Sequence, residues 1–269
     1  MPTRVYRGIR YCRRKSRSFA ELHWTAAVVS CCVLGVALFF ALNLIYQVIQ
    51  KPGEIFAPFS TSFSKEPAST WQSYGALFKQ HSTSIVSPEF LAALAQVESD
   101  GNPIARTDWR WQWSWSLFEI YRPPSSALGM FQITDGTFAL ARRYCIREHT
   151  VVTDGAWHDL HSCWFNSFYT RTLPSHSTEM TAAYLHQNVV TILAAHRKAK
   201  VSLEQKQKLA AVIHLCGVNR GKIFAAHGFR TARGERCGTH SLERYVNQVE
   251  LMKKRFAQLT RNYRVGADY

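Results

Sequence analysis

The sequence predicts a mainly α-helical fold, in which one domain follows a single N-terminal transmembrane helix. The first observation is the stretch from Trp24 to Ile49, whose 26 residues include no Asp, Glu, Lys or Arg. The second is the recurrence of apolar residues at every third or fourth position in several later segments, next to residues that begin or end helices. Strand-like alternation, by contrast, occurs in one short segment. Hydrophobic residues make up 46% of the chain, which is enough for a packed core.

The charge-free stretch is long enough to cross a bilayer. A helix rises about 1.5 Å per residue, so it would measure roughly 39 Å against a hydrocarbon thickness of about 30 Å. Residues 1–20 contain seven basic and no acidic side chains, and only Lys51 closely follows the stretch. This asymmetry predicts a cytoplasmic tail (1–23), a signal anchor (24–49) and a chain that continues on the far side of the membrane.

Two alternatives could also account for the basic tail and the apolar stretch. A cleaved signal peptide fits less well, because the apolar stretch exceeds the usual length and no clear A-x-A cleavage site follows it. A basic N-terminal arm can also bind nucleic acid. Beside a membrane span the topological interpretation is preferred, and we expect no nucleic-acid partner.

The cysteines agree with export. Of seven in the chain, three lie in the tail and the span: Cys12, Cys31 and Cys32. Four cysteines on an oxidising side of the membrane predict two disulfides, for which three pairings are possible. We expect Cys145–Cys163 and Cys216–Cys237, since each closes a loop of about 20 residues. A zinc site is the alternative, but no CxxC or HxxxH spacing accompanies these cysteines.

The net charge also limits the partners. It is +15 for the whole chain, and leaving out residues 1–21, with seven basic and one acidic side chain, leaves +9. A basic exported domain is attracted to acidic polymers, among them cell-wall glycan that carries peptide carboxylates.

Residues 50–70 are rich in Pro, Ser and Thr and predict a linker, so the domain would cover residues 71–269. The segment "SPEFLAALAQVES" predicts a helix with Ser87 as its N-cap and Pro88 at its first position. Ser202 and Gln205 form a capping box, and Gly217 ends that helix. Further helices are predicted at about 136–148, 177–200 and 241–261.

One segment, "DWRWQWSWSLFEIYRPP", has a different pattern. Its tryptophans stand at every second position, which places them on one face of an extended segment: Trp109, Trp111, Trp113 and Trp115. Three interpretations are open. The indoles could pack as core beneath a loop, could form a stacking platform for sugar rings, or could contact the membrane interface, where Trp is favoured.

Glu98 shares the apolar face of the helix that begins near Ser87, at helical spacing from Leu91 and Leu94. A carboxyl group there loses hydration, which raises its pKa and suits it to act as a general acid. The alternative is an ordinary structural glutamate near a helix end. Downstream, residues 129–132 predict a tight turn that could present the Gln132 amide to a ligand, or a simple turn into the next helix.

Four motifs in this order resemble those of a known family. They are Glu98-Ser99 with Asn102-Pro103, Ala127-x-Gly129-Met130-x-Gln132, Ala210-Ala211 to Gly217, and Tyr245-Val246. Together they are similar to the catalytic domain of soluble lytic transglycosylases, which has a goose-type lysozyme-like fold. The resemblance covers roughly residues 80–260. It implies a helical lysozyme-like domain with a groove for peptidoglycan strands, on the periplasmic side of the inner membrane.

The resemblance also implies roles for individual residues. Glu98 would be the single acid/base of the reaction. It would protonate the oxygen between N-acetylmuramic acid and N-acetylglucosamine, then deprotonate the muramyl C6 hydroxyl, which closes a 1,6-anhydro ring. Tyr245 would be the second catalytic residue, and would either orient the Glu98 carboxyl or polarise the reacting group. The substrate-binding residues would be Ser99, Met130, Gln132 and His214. The implied chemistry requires no metal or organic cofactor.

Two departures from the family pattern leave alternatives open. His214 stands where the family usually has tyrosine, and Leu215 where it has asparagine; His214 could contact sugar or pack in its helix. The tryptophan segment separates the first two motifs, and Glu119 within it could activate water. Other carboxylates lie nearby: Asp100, Asp108 and Asp135.

The alternatives are therefore a hydrolytic muramidase that uses a second carboxylate, and a non-catalytic peptidoglycan-binding scaffold of a secretion or conjugation apparatus. A single span with one domain fits such a specialised role, but the sequence does not choose between that role and wall turnover.

Overall fold

The computed structural model describes the backbone of residues 3–50, 63–107, 110–111, 113–123, 125–156, 158–159, 162–195 and 201–265; the side chains of 3–23, 50, 119 and 262–265 lie outside the description. Eight α-helices and three two-stranded antiparallel hairpins occur in these residues, which confirms the mainly α-helical class. The chain divides into two compact units. The helix–hairpin unit comprises Met1–Glu54 and Trp109–Arg122, and the multi-helix unit comprises Ile55–Asp108 and Pro123–Tyr269.

The helix–hairpin unit consists of one long helix and a short hairpin. Helix α1 runs from Thr3 to Gln50 without a break and contains the charge-free stretch Trp24–Ile49. By length and composition this stretch suits a membrane span or a signal sequence. The hairpin pairs β1 (Arg110–Trp111) with β2 (Tyr121–Arg122), and a 3-10 helix, Leu117–Glu119, lies between the strands.

The multi-helix unit contains the remaining elements. Its helices are α2 (Pro67–Gln80), α3 (Pro88–Ser99), α4 (Asp135–Ala141), α5 (Pro174–Ala195), α6 (Leu203–Cys216), α7 (Val218–Ala226) and α8 (Leu242–Val265). Its hairpins pair β3 (Tyr144–Arg147) with β4 (Thr150–Thr153), and β5 (Arg236–Cys237) with β6 (His240–Ser241). Helix α2 begins inside the predicted linker, so the last four residues of 50–70 belong to a helix.

Helix α3 lies at the centre of this unit, packed against α2 and α8. Seven consecutive residues, Phe90–Gln96, are buried. As predicted, the Ser87 side chain caps the helix by accepting a hydrogen bond from the Phe90 amide. The buried Gln96 amide accepts from the Thr70 hydroxyl at 2.8 Å and donates to the Lys65 carbonyl at 2.9 Å, so its burial leaves no amide group unpaired. Only the two ends of α3, Pro88–Glu89 and Val97–Ser99, approach the surface.

The predicted helix at 136–148 is wrong in its second half. Helix α4 ends at Ala141, and residues 144–147 form strand β3 instead. The chain reverses at Glu148 and His149, both of which have positive φ. The strand is held by a distant group, because the Ile146 amide donates to the buried Glu179 carboxylate at 2.8 Å. Such a tertiary contact overrides the local helical pattern.

The other predicted helices are present. The capping box of Ser202 and Gln205 is formed, and Gly217 ends α6 with a φ of 82°. Helix α8 covers the predicted 241–261 and continues to Val265. The predicted 177–200 helix begins earlier, at Pro174, and the structure describes it to Ala195; residues 196–200 lie outside the described residues.

The cysteines of the multi-helix unit lie at disulfide distance in the predicted pairing. Cys145 and Cys163 have an S–S distance of 2.06 Å, and the Cα atoms of both pairs, including Cys216–Cys237, are 5.5 Å apart. The described cysteines of α1 are unpaired: Cys31 and Cys32.

Candidate active site

Three helices meet at the Glu98 carboxylate. Glu98 lies in the last turn of α3, and its side chain is 15% exposed. The hydroxyl of Tyr245, on α8, donates a hydrogen bond to Glu98 Oε1. In the last turn of α6, His214 places Nε2 3.4 Å from the same oxygen. A single carboxylate is thereby held from two sides in a half-buried position.

The electrostatic surroundings of Glu98 differ from the prediction. Burial raises the pKa of Glu98, but the hydrogen bond and charge of His214, the Tyr245 hydroxyl and the charge of His240 outweigh that effect. The pKa of Glu98 is therefore lowered from its usual value, and the expectation of a raised pKa is wrong. The apolar pattern of α3 indicated burial correctly, but it could not reveal the partners that later parts of the chain provide.

Tyr245 remains a hydrogen-bond donor at every working pH. Burial, followed by the charge and the hydrogen bond of Glu98, raises the pKa of Tyr245 well above its usual range. The hydroxyl thus keeps its proton and points it at the carboxylate. The predicted role of Tyr245, to orient the carboxyl or polarise the reacting group, stays a prediction.

The loop from Gly129 to Gln132 packs against the end of α3. The Ser99 hydroxyl lies 2.8 Å from the Met130 carbonyl oxygen and 3.1 Å from that of Ala95. Ser99 thus links the first two sequence motifs, and its predicted contact with substrate stays a prediction.

Gln132 has a positive φ of 46°, as expected of a tight turn. Its side-chain amide donates to the carbonyl oxygens of Ala105 at 3.0 Å and Gly129 at 2.9 Å. The amide nitrogen therefore holds the turn together. The carbonyl oxygen of this side chain has no hydrogen-bond partner among the described residues, so a ligand contact through Gln132 stays a prediction for that oxygen alone.

The position of the Met130 side chain differs from the predicted one. Its side chain is 0% exposed and belongs to the hydrophobic core. The prediction that Met130 lines the groove is therefore wrong. The residue serves the site through its backbone carbonyl, which receives the Ser99 hydroxyl, while its apolar side chain is drawn into the core.

Position 129 must be glycine because the backbone at Arg171 approaches it closely. Its φ is 85°, and a Cβ atom at this position would lie 2.1 Å from the Arg171 carbonyl oxygen. Arg171, which sequence reasoning missed, also clamps the loop through its guanidinium group. One nitrogen donates to the carbonyls of Ser126 at 2.8 Å and Ile133 at 2.9 Å and lies 2.8 Å from Asp135.

Comparison with known protein families identifies a domain that contains Glu98. Residues 76–202, a little under half of the chain, match the family model described as Transglycosylase SLT domain. The chain therefore contains an SLT transglycosylase domain. This domain supports a lytic transglycosylase with a lysozyme-like catalytic domain, and members of the domain family are lyases that act on peptidoglycan glycan. Searches among curated proteins and among solved structures give no match.

The matched region of this transglycosylase contains only part of the site. Glu98 and Gln132 lie within residues 76–202, whereas His214 and Tyr245 follow it. The two side chains that contact the Glu98 carboxylate thus come from outside the matched segment. Tyr245 was predicted from the last motif, but the contact between His214 and Glu98 was not.

The described candidates for a second carboxylate are engaged elsewhere. Asp135 pairs with Arg171, and Asp100 forms the exposed C-cap of α3. Asp108 and the Glu119 side chain lie outside the described residues. Within the described part of the chain, the groups that act on Glu98 are His214, Tyr245 and His240, with no carboxylate among them. The same residues include no group of three His, Cys, Asp or Glu side chains that could hold a metal ion.

The third neighbour, His240, was also missed by sequence reasoning. It lies on the exposed β5–β6 hairpin. Cys237 of the same hairpin is bonded to Cys216 of α6, which lies two residues after His214. The disulfide Cys216–Cys237 thus ties the helix that presents His214 to the hairpin that presents His240. The spacing of the two cysteines predicted that the hairpin is joined to α6. No sequence feature near His240 indicates that it acts on Glu98.

Proposed function

We propose that this protein is a membrane-anchored lytic transglycosylase that cleaves the β-1,4 bond between N-acetylmuramic acid and N-acetylglucosamine and releases 1,6-anhydro-muramyl products. One observation carries the proposal. Glu98 lies in an SLT domain and is half-buried; it accepts a hydrogen bond from the Tyr245 hydroxyl and faces His214, and no second carboxylate acts on it among the described residues. Glycosidases that use water or a covalent intermediate generally need two carboxylates, whereas an attack by the substrate's own hydroxyl needs one acid/base.

The proposed reaction has two steps at Glu98. In the first, the protonated carboxyl donates its proton to the glycosidic oxygen as the C1–O bond breaks, and N-acetylglucosamine departs as an alcohol. In the second, the Glu98 carboxylate takes the proton from the muramyl C6 hydroxyl, and that oxygen bonds to C1. No water is consumed, and Glu98 ends the cycle protonated.

We assign Tyr245 and His214 as positioning residues for this carboxyl. Both contact Oε1, which leaves Glu98 Oε2 as the oxygen for proton transfer. His214 also stabilises the ionised form that acts as the base in the second step. Because the acid form is needed first and the pKa of Glu98 is lowered, the rate is expected to rise as the pH falls below neutral.

The anchor is proposed on the properties of α1. Its charge-free stretch follows a basic tail, and the four cysteines of the multi-helix unit lie in pairs, as they do in an oxidising compartment. We infer a single pass through the inner membrane with the catalytic domain in the periplasm, where the peptidoglycan substrate lies. Participation in a secretion or conjugation apparatus stays a prediction.

The proposal is tested by product analysis. The full chain in detergent micelles is incubated with purified peptidoglycan, and the soluble fragments are analysed by mass spectrometry. We expect anhydro products, each lighter by one water than the corresponding hydrolysis product. They should disappear in Glu98→Gln and persist in the matched control Glu89→Gln, which changes a glutamate in the first turn of the same helix.

Two other outcomes would contradict the proposal. Fragments with a reducing end would indicate a hydrolytic muramidase. Binding of peptidoglycan without release of fragments by the wild-type chain would indicate a non-catalytic scaffold.

A further inference from the structure

The hairpin of the helix–hairpin unit exposes large apolar side chains. Trp113 and Trp115 are 98% and 100% exposed, and Trp111 and Leu117 are each more than half exposed. The interpretation of these tryptophans as core is therefore wrong for the three that the structure describes; Trp109 lies outside the described residues. An apolar surface of this kind marks a site for a partner or a membrane.

The hairpin accepts hydrogen bonds from two polar side chains of α1. The side-chain amides of Asn43 and Gln47 donate to the backbone carbonyl of Phe118 at 2.8 and 2.9 Å. Both residues are almost fully buried, whereas neighbouring residues of α1 such as Leu42 and Leu44 are exposed. The Asn43 side-chain oxygen is buried without a partner among the described residues, so the two N–H groups alone join α1 to the hairpin by hydrogen bonds.

Aromatic contacts join the same two segments. Phe40 meets Trp111 and Tyr121 edge-on, with ring centroids 6.1 and 5.9 Å apart. Tyr46 stacks on Phe118 at 5.5 Å. The hairpin thus packs along the last turns of the charge-free stretch, and both this stretch and the hairpin expose large apolar side chains.

The contact residues of α1 give the depth of the hairpin. Crossing a hydrocarbon layer of about 30 Å takes roughly 20 residues at about 1.5 Å each. Counted from Trp24, that layer ends near Asn43. Phe40 then lies roughly 4–5 Å inside the boundary by the same rise per residue, and Tyr46 and Gln47 lie just outside it. This is the level at which Trp and Tyr side chains favour the interface.

We propose that this hairpin is embedded in the lipid interface on the far face of the membrane, with Trp113 and Trp115 in contact with phospholipid. The inference rests on the proposed anchoring of α1. Arg110 and Arg122 stand opposite each other in the strand pair, which places two cations near the lipid phosphates. Since the hairpin is inserted within the sequence of the multi-helix unit, it provides a second tether to the membrane besides the segment after α1.

Lipid is favoured over sugar as the partner. The exposed tryptophans belong to a hairpin that packs on an exposed apolar helix, and the hydrogen bonds of Asn43 and Gln47 join this hairpin to the proposed span itself. A glycan platform would require no such contact with α1. The experiment below distinguishes contact with lipid from contact with sugar.

Quenching of tryptophan emission by brominated lipid tests the inference. The full chain is reconstituted into vesicles of phosphatidylethanolamine and phosphatidylglycerol, with or without bromine on the acyl chains. The protein has eight tryptophans. If Trp113 and Trp115 contact lipid, Trp113→Phe/Trp115→Phe lowers the fraction of emission that the brominated lipid quenches. The control Trp71→Phe removes a buried tryptophan of the multi-helix unit and raises that fraction, provided its peptidoglycan activity shows that it is folded.

The opposite sign would overturn the inference. If the double variant raises the quenched fraction as Trp71→Phe does, these two side chains lie away from lipid. A sugar platform would appear as a change in emission on addition of glycan strands that the double variant loses, without bromine quenching. Retention of the chain after an alkaline carbonate wash is measured on the same vesicles. Release by the wash would refute the proposed anchor itself, whereas retention with the wrong sign of quenching would refute the hairpin inference alone.

Discussion

The two units of this protein place their apolar side chains in opposite ways. The multi-helix unit buries Phe90, Phe131 and Phe256 completely. The described tryptophans and leucines of the helix–hairpin unit are exposed, and two of its amide side chains are buried instead. In water the first arrangement is stable and the second is not. This difference is the one expected if α1 and its hairpin meet lipid, as we propose.

The cysteines differ in the same way. The described cysteines of the multi-helix unit lie in two disulfide pairs, whereas Cys31 and Cys32 on α1 are unpaired and exposed. Pairing is expected in an oxidising aqueous compartment. The contrast between the units therefore extends from packing to chemistry.

The largest expected difference between the units is in stability. Phe131→Ala removes a fully buried ring and should lower the free energy of unfolding by about 3–5 kcal/mol. Trp115→Ala changes a fully exposed side chain and should alter it by less than about 0.5 kcal/mol. Denaturant unfolding of the full chain in micelles measures both. Similar losses in the two variants would show that the hairpin is packed after all.

The disulfides give the next effect. Cys216→Ser/Cys237→Ser opens a loop of 21 residues and should destabilise the multi-helix unit by about 3 kcal/mol. The matched control, Cys31→Ser/Cys32→Ser, should leave its unfolding unchanged. Counting thiols in the denatured, unreduced chain sharpens the test, since we expect three to react, and seven after reduction. Seven reactive thiols before reduction would rule out the pairing.

Within the site, Tyr245→Phe removes a buried donor to the carboxylate. A hydrogen bond to a charged group contributes about 1.5–3 kcal/mol, which corresponds to a loss of roughly 10- to 100-fold in kcat. KM should change little, because Tyr245 contacts Glu98 in our assignment. Tyr74→Phe on α2 is the control. A larger effect on KM than on kcat would show that Tyr245 binds substrate instead.

The smallest expected effect is a shift of the pH profile. His214 is the principal group that lowers the pKa of Glu98 against burial. In His214→Gln burial prevails, the pKa of Glu98 rises, and the carboxyl keeps its proton to higher pH. The limb of the kcat/KM profile assigned to Glu98 should therefore move to higher pH, while His227→Gln, at the C-cap of α7, should not move it. An unchanged limb would show that His214 does not act on Glu98.

Much of the helical framework could be predicted because its signals are local. Ser87 and Pro88 begin α3 and the capping box at Ser202 begins α6, as their side chains predict. Strand β3 could not be predicted, since its pairing depends on the reversal after it and on the distant Glu179 carboxylate. The core position of Met130 was missed for a related reason. A turn motif shows that a loop exists, but it does not show which of its side chains faces inward.

The site divides in the same manner. The sequence by itself determined the class of fold, the charge-free stretch of α1 and the place of Glu98 on an apolar helix face, because these follow from composition and spacing within short segments. The nomination of Tyr245 came from the resemblance of its motif to the transglycosylase family. Only the tertiary structure decided that His214 meets the Glu98 carboxylate, that the pKa of Glu98 is lowered, and that the tryptophan hairpin packs on α1. Each of those depends on residues more than 60 positions apart, and such contacts are set by how helices and loops pack within each unit.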